Sequence, residues 1–193
     1  MNKDFVMTDE ELMRRWQQGD RAALDEIVVR YHAPLYRYLF RATQQHYLAE
    51  DLVQDCVVRL VYSGHLYQYP RSFRPWLYAI ATNTMRRHFQ KADQRHTTTF
   101  LQGRDEEVAG REDTPHLLTG QWADREDLLA VFGQLSAEHR EVISLRYTED
   151  FSLAEIAAIL HIPLGTVKTR LMRALRRLRI LLSPLRVEVH HAS

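Results

Sequence analysis

The stretch SLAEIAAILHIPLGTVKTRLMRALRRLR, residues 152–179, restricts what this chain can fold into more than any other part of it. Ser152 and Glu155 are spaced as a capping box, in which hydroxyl and carboxylate satisfy the free N–H groups at a helix start. A short apolar helix follows, with Ile156, Ile159 and Leu160 on one face. His161-Ile162-Pro163 then makes a turn, and a second helix begins near Leu164. Small Ala157 permits close approach of the two helices, and Val167, Leu171 and Leu175 fill the space between them. His161 occupies the site where a left-handed backbone is needed. Histidine tolerates that geometry better than a β-branched residue does. Two preceding helices, over 124–135 and 137–147, are expected to support the pair through Leu128, Phe132, Leu135, Val142 and Ile143. The whole reads as a helix-turn-helix.

Charge distribution gives this motif a partner. The chain is near neutral, with a net charge of +1. Yet no Asp or Glu occurs from Ile156 to Val187, where Lys168, Arg170, Arg173, Arg176, Arg177, Arg179 and Arg186 lie. A locally basic recognition helix in a neutral protein suits a polyanion bound at one place. Thr166, Lys168, Thr169, Arg170 and Arg173 fall in its N-terminal half, the part that meets base edges in the major groove. Acids concentrate elsewhere, as in Asp105, Glu106, Glu107, Glu112 and Asp113.

Upstream, residues 8–91 form a first helical domain. Thr8 and Glu11 are spaced as another capping box, and Gly19-Asp20 breaks the first helix from a longer one that Pro34 kinks or restarts. In AEDLVQDCVVRLV, residues 49–61, Leu52, Val53, Cys56, Val57 and Leu60 make an apolar stripe. Asp51, Gln54 and Asp55 fall opposite, flanked by Glu50. Cys56 on the core side is expected to be a buried, inert thiol. A turn-rich piece, residues 63–73, leads into FRPWLYAIATNTMRRHFQK, with Trp76, Leu77, Ile80 and Ala81 as its expected core face and Arg86, Arg87, His88 and Lys91 at its basic end. Residues 92–120 are polar, glycine-bearing and without periodicity, which reads as a flexible linker. Residues 121–182 form the second domain. The expected architecture is therefore all-α, with two small helical domains joined by a linker.

The two blocks, in this order and with nothing else, resemble the extracytoplasmic-function group of sigma-70-type RNA polymerase sigma factors. The helix-turn-helix is similar to their region four, and the 49–61 and 73–91 segments to their region two. The resemblance implies a non-enzymatic initiation factor that binds core RNA polymerase and directs promoter recognition and melting. It places Glu50, Asp51, Gln54 and Asp55 against the polymerase clamp helices. It places Tyr67, Tyr69, Asn83, Arg86 and Arg87 at the −10 element, and Thr166, Lys168, Thr169, Arg170 and Arg173 at the −35 element. Implied partners are core RNA polymerase, promoter DNA and an anti-sigma factor, with no cofactor, metal or small-molecule substrate.

Other readings are narrower. A polymerase-independent helix-turn-helix regulator would normally dimerise on paired half-sites, and no dimerisation helix is evident beyond residues 178–189. A nucleic-acid enzyme would need a catalytic signature, and HEXXH, Walker A and GXSXG are all absent. One cysteine fits a reducing compartment. The acid-bearing N-terminus is not a signal peptide, and no apolar run approaches the ~20 residues of a membrane span, so a cytoplasmic location is expected.

Overall fold

The structure is a computed structural model; it describes residues 7–95 and 126–189, so residues 96–120 of the expected linker lie outside them, while residues 92–95, expected to begin it, continue the preceding helix. Among the described residues every regular element is helical.

Four helices make the first half. Helix α1 (Asp9–Gln17) starts at Thr8, whose hydroxyl accepts from the Glu11 N–H at 3.3 Å. The expected return bond is not made; the Glu11 carboxylate pairs instead with Arg14, 3.0 Å away. Gly19, at φ +101°, turns the chain, and Asp20 caps α2 (Arg21–Thr43) by accepting from the Ala22 N–H. Helix α2 runs unbroken through Pro34. Gln44 ends it in the left-handed conformation. Helix α3 (His46–Ser63) follows, and a 3-10 turn (Gly64–Leu66) leads towards α4 (Phe73–Arg95). The Glu10 carboxylate accepts from the Phe73 N–H at 2.9 Å and so occupies one free donor at the start of α4.

Leu12, Ile27, Leu35, Leu39, Leu52, Cys56 and Leu77 meet in the core of this half. Burial pushes the Cys56 thiol up to about 12, which keeps it protonated and inert, as its place on the apolar stripe requires. Trp16 on α1 lies against Gly64 so closely that a Cβ there would sit 1.7 Å from the indole ring. Gln17 secures the same turn by donating to the carbonyls of Gly64 and Tyr67, each at 2.8 Å.

The second half contains α5 (Glu126–Gly133), α6 (Ala137–Ile143) with a π-helical extension (Ser144–Thr148), α7 (Leu153–Leu160) and α8 (Leu164–Val189). Val142, Ile143, Leu145, Ile156, Ile159, Leu160 and Val167 are buried together. The side chain of Leu128 lies outside the described ones.

The halves do not stand apart. Helix α7 packs on α4, and α6 with its π turn packs on α2. This changes α4 from the expected one-sided helix into one covered on two sides. Leu77 and Ala81 are buried as expected, but Trp76 and Ile80 are only half-buried. Tyr78, Thr82 and Met85 are buried as well.

Gly64→Ala should destabilise the first half, because backbone and indole leave no space for the methyl group. Overpacking of this kind costs about 1–3 kcal/mol. A lowered urea midpoint with an unchanged m-value is the expected result.

Candidate nucleic-acid and polymerase interface

The helix-turn-helix closes as its residues dictate. The Ser152 hydroxyl accepts from the Glu155 N–H at 3.2 Å, and the Glu155 carboxylate returns by accepting from the Ser152 N–H at 2.8 Å. The Ser152 hydroxyl also donates to the Glu155 carboxylate at 2.7 Å, and this bond first and the Ser152 N–H second hold the Glu155 carboxyl below the usual range. His161 ends α7 at φ 54°, ψ 44°, and its N–H and that of Ile162 both donate to the Ala157 carbonyl. Val167, fully buried, joins α8 to α7.

This leaves the start of α8 facing outward. Lys168 and Thr169 are exposed, Thr166 and Arg173 half-buried. The Thr169 hydroxyl donates to the Gly165 carbonyl at 2.9 Å, which fixes its rotamer while leaving its lone pairs accessible. Arg170 differs from its neighbours. Its guanidinium pairs with Glu138 on α6 at 2.9 Å and its side chain is 23% exposed, so it must exchange this carboxylate for any base it reads.

On the first half, Glu50, Asp51, Gln54 and Asp55 are all exposed along one face of α3. Towards the far end of that helix the surface turns apolar, with Val58, Val61, Tyr62 and Leu66 exposed. Between α3 and α4 lies an open cavity of about 490 Å³. Asp55, Val58, Arg59, Tyr62, Asn83 and Arg87 are among its lining residues. An aromatic ring 77% exposed stands here beside two arginines and an amide. Such a combination has the chemistry to stack an unpaired base and neutralise its backbone.

The residues expected at the −10 element separate into groups. Asn83 and Arg87 reach this cavity. Tyr67 does not: its ring is buried against Phe73 and Trp76, with centroids 5.8 and 5.3 Å away, and its hydroxyl donates to the Arg71 carbonyl. Its ring therefore offers no face to a base in this conformation. Tyr69 is half exposed but lies under the Arg14 guanidinium, 5.5 Å from the ring centroid. Arg86 turns the other way, donating to Glu141 and to the Leu160 carbonyl, each at 2.9 Å.

Residues 27–95 match the family model for sigma-70 region 2, and residues 131–179 the model for sigma-70, region 4. The chain is 34% identical to the ECF RNA polymerase sigma factor SigL of Mycobacterium tuberculosis over 177 residues, covering 86% of this chain and 90% of that one. It is 31% identical to the RNA polymerase sigma factor CarQ of Myxococcus xanthus, covering 92% and 99%. The chain belongs to the extracytoplasmic-function sigma factors.

Among solved structures, this sigma factor is similar to RpoE of Bartonella quintana, determined with the anti-sigma factor NepR. The TM-score is 0.64 at 27% identity, covering 82% of this chain and 95% of that one. CnrH, solved with the cytosolic domain of CnrY, shares the fold at TM-score 0.65 and 22% identity, covering 91% and 97%. The sigma factor directs transcription initiation, and its two matched regions fall one in each of the two halves built above.

Reading the sequence missed Tyr62 and Arg59. A signal for Tyr62 was present: Val58 and Tyr62 continue the solvent side of α3 at i, i+4 spacing where a solvated helix would carry polar residues.

Ser152→Ala should lower stability by about 0.5–2 kcal/mol, the usual cost of losing such a cap. The lowered Glu155 carboxyl contributes stability above the ordinary glutamate value of ~4.3 and loses it as pH falls through the depressed native value. Glu155→Gln should therefore flatten the acid side of a plot of thermal midpoint against pH.

Proposed function

We propose that the two faces act in sequence as docking surface and promoter reader. The observation that carries this reading is the separation of charge: an acidic and amide-bearing face on α3, and an acid-free basic face on α8. Glu50, Asp51, Gln54 and Asp55 dock the basic clamp helices of core RNA polymerase, where complementary charge steers and orients the encounter. Thr166, Lys168, Thr169 and Arg173 engage the −35 element, and Arg170 joins them by leaving Glu138. Lys and Arg supply phosphate contacts or bidentate bonds to guanine, and threonine supplies hydrogen bonds or a methyl contact to thymine.

At the −10 element, the cavity between α3 and α4 receives an unstacked base of the opened strand. Tyr62 stacks on it, and Asn83, Arg87 and Arg59 hold its edge and backbone. Arg86 and Tyr69 border this region, and Tyr67 supports its floor by packing. The chain carries no covalent chemistry of its own; its work is recognition and strand capture within the cytoplasm. The complex of RpoE with the anti-sigma factor NepR supports an anti-sigma partner for this chain.

Asp51→Arg combined with Asp55→Arg should abolish binding to core polymerase while leaving the helical circular dichroism spectrum unchanged. Unaltered polymerase affinity would refute the docking face. Arg170→Ala should cost about 1–3 kcal/mol on the cognate −35 sequence alone if Arg170 reads a base. An equal loss on every sequence, measured by holoenzyme binding to a promoter set, would make it a phosphate contact.

A further inference from the structure

One carboxylate stands at the edge of the acid-free face of α8. Glu138 comes from the first turn of α6, whose start the Ser136 hydroxyl caps by accepting from the His139 N–H at 3.3 Å. The Glu138 side chain is 62% exposed and accepts from the Arg170 guanidinium at 2.9 Å. A second acid of α6 pulls the same way. Glu141 is buried, and burial raises its carboxyl; Arg86 opposes the rise first and Arg170 after it, so the Arg170 charge is felt by both carboxylates. Lys168 and Arg173 have no ion pair among the described residues. Of these three cations at the start of α8, one is therefore already neutralised within the protein.

The position of Glu138 has a simpler reading. An acid in the first turn of a helix is favoured by the free N–H groups there, whatever lies nearby. That accounts for an acid at this position but not for the direction of its side chain, which reaches from α6 to the helix that faces DNA.

A guanidinium bound to a carboxylate must leave it before taking a phosphate or a guanine edge. Departure forfeits the ion pair on every sequence, and it leaves a carboxylate facing phosphates of its own sign. Both effects weaken binding without naming a base. Apparent affinity falls in proportion to the fraction of molecules in which Arg170 is free. An exposed pair of this kind is strong enough to lower affinity about two- to fivefold.

We propose that Glu138 is an intramolecular competitor for Arg170, one that lowers the grip of α8 on every duplex that Arg170 touches. The inference rests on the assignment of Arg170 to the −35 element made above. It gives α6 a part in DNA binding without any contact between α6 and DNA. Phosphate contacts supply the sequence-independent hold of a protein on DNA. Glu138 restrains one of the cations that provide it and leaves Lys168 and Arg173 to act unhindered.

The test uses holoenzyme assembled from the full chain and core polymerase. Fluorescent duplexes carry a −35 element from which it transcribes, or the same bases scrambled, and stop short of the −10 element. Glu138→Gln keeps the shape of the side chain and removes its charge; Glu138→Ala removes both. Each should bind about two- to fivefold tighter to each duplex whose binding Arg170→Ala weakens, and the gain should narrow as salt screens the charges. With Arg170→Ala already present, most of that gain should vanish. An equal gain in that background would mean that the carboxylate only repels phosphates, and would overturn the competition. Unchanged or weaker binding by both Glu138 variants would overturn it too, leaving Glu138 a helix-start acid whose loss lowers only the thermal midpoint. The two levels of the argument fail separately. If Arg170→Ala weakens neither duplex while Lys168→Ala weakens both, the assignment of Arg170 to DNA is wrong. If Arg170→Ala weakens binding and Glu138→Gln brings no gain, the competition alone is refuted.

Discussion

A charged group can stay in a protein interior only if its surroundings replace the water it has lost. Glu149 meets that condition through two donors to its carboxylate, Arg41 and Tyr78, and a second arginine, Arg74, beside it. None of these belongs to its own half of the chain. The solvation needs of this side chain thus tie the second half to the first. The same contact pushes the Tyr78 phenol well above its ordinary range, through burial first and the adjacent carboxylate second. Glu141 repeats the principle with Arg86, and burial raises its carboxyl while the guanidinium opposes the rise.

The exposed surfaces follow a different physical logic. The α3 face and the start of α8 are both rich in hydrogen-bonding groups, yet opposite in charge, so each complements a surface of the opposite sign. Between them, the cavity at Tyr62, Asn83 and Arg87 mixes apolar, amide and cationic groups. Duplex DNA hides its base faces, so such a pocket is useful only for a strand already opened. On the function proposed above, the three surfaces would serve protein, duplex and single strand respectively.

The helix-turn-helix was legible in the sequence nearly to the residue, because its determinants are local. Ser152 and Glu155 cap each other across three residues, His161 takes the left-handed turn, and Val167 enters the core. The α3 face was legible for the same reason, since helical periodicity alone assigns Asp51 and Cys56 to opposite sides. The expectations that failed involved distant contacts. Arg41 and Glu149 are 108 residues apart, and neither has a pattern that names the other. Tyr78 and Met85 lie off the expected core stripe of α4, and a second buried face is invisible when only one is assumed. Tyr67 was placed at the −10 element by the family resemblance alone, and its turn carries no pattern that shows Phe73 and Trp76 giving its ring a place to pack.

The close contact of Trp16 with Gly64 bears on where this protein's first functional unit begins. The family match starts at residue 27, beyond the whole of α1. Yet α1 supplies the indole against Gly64, the amide that ties down the following turn, and, through Glu10, a partner for the first N–H of α4. That turn adjoins Ser63 and Leu66, which line one end of the cavity. Shared ancestry and mechanical support therefore have different limits: a fragment cut where the family resemblance starts would keep the side chains that line the cavity but lose the brace beside it.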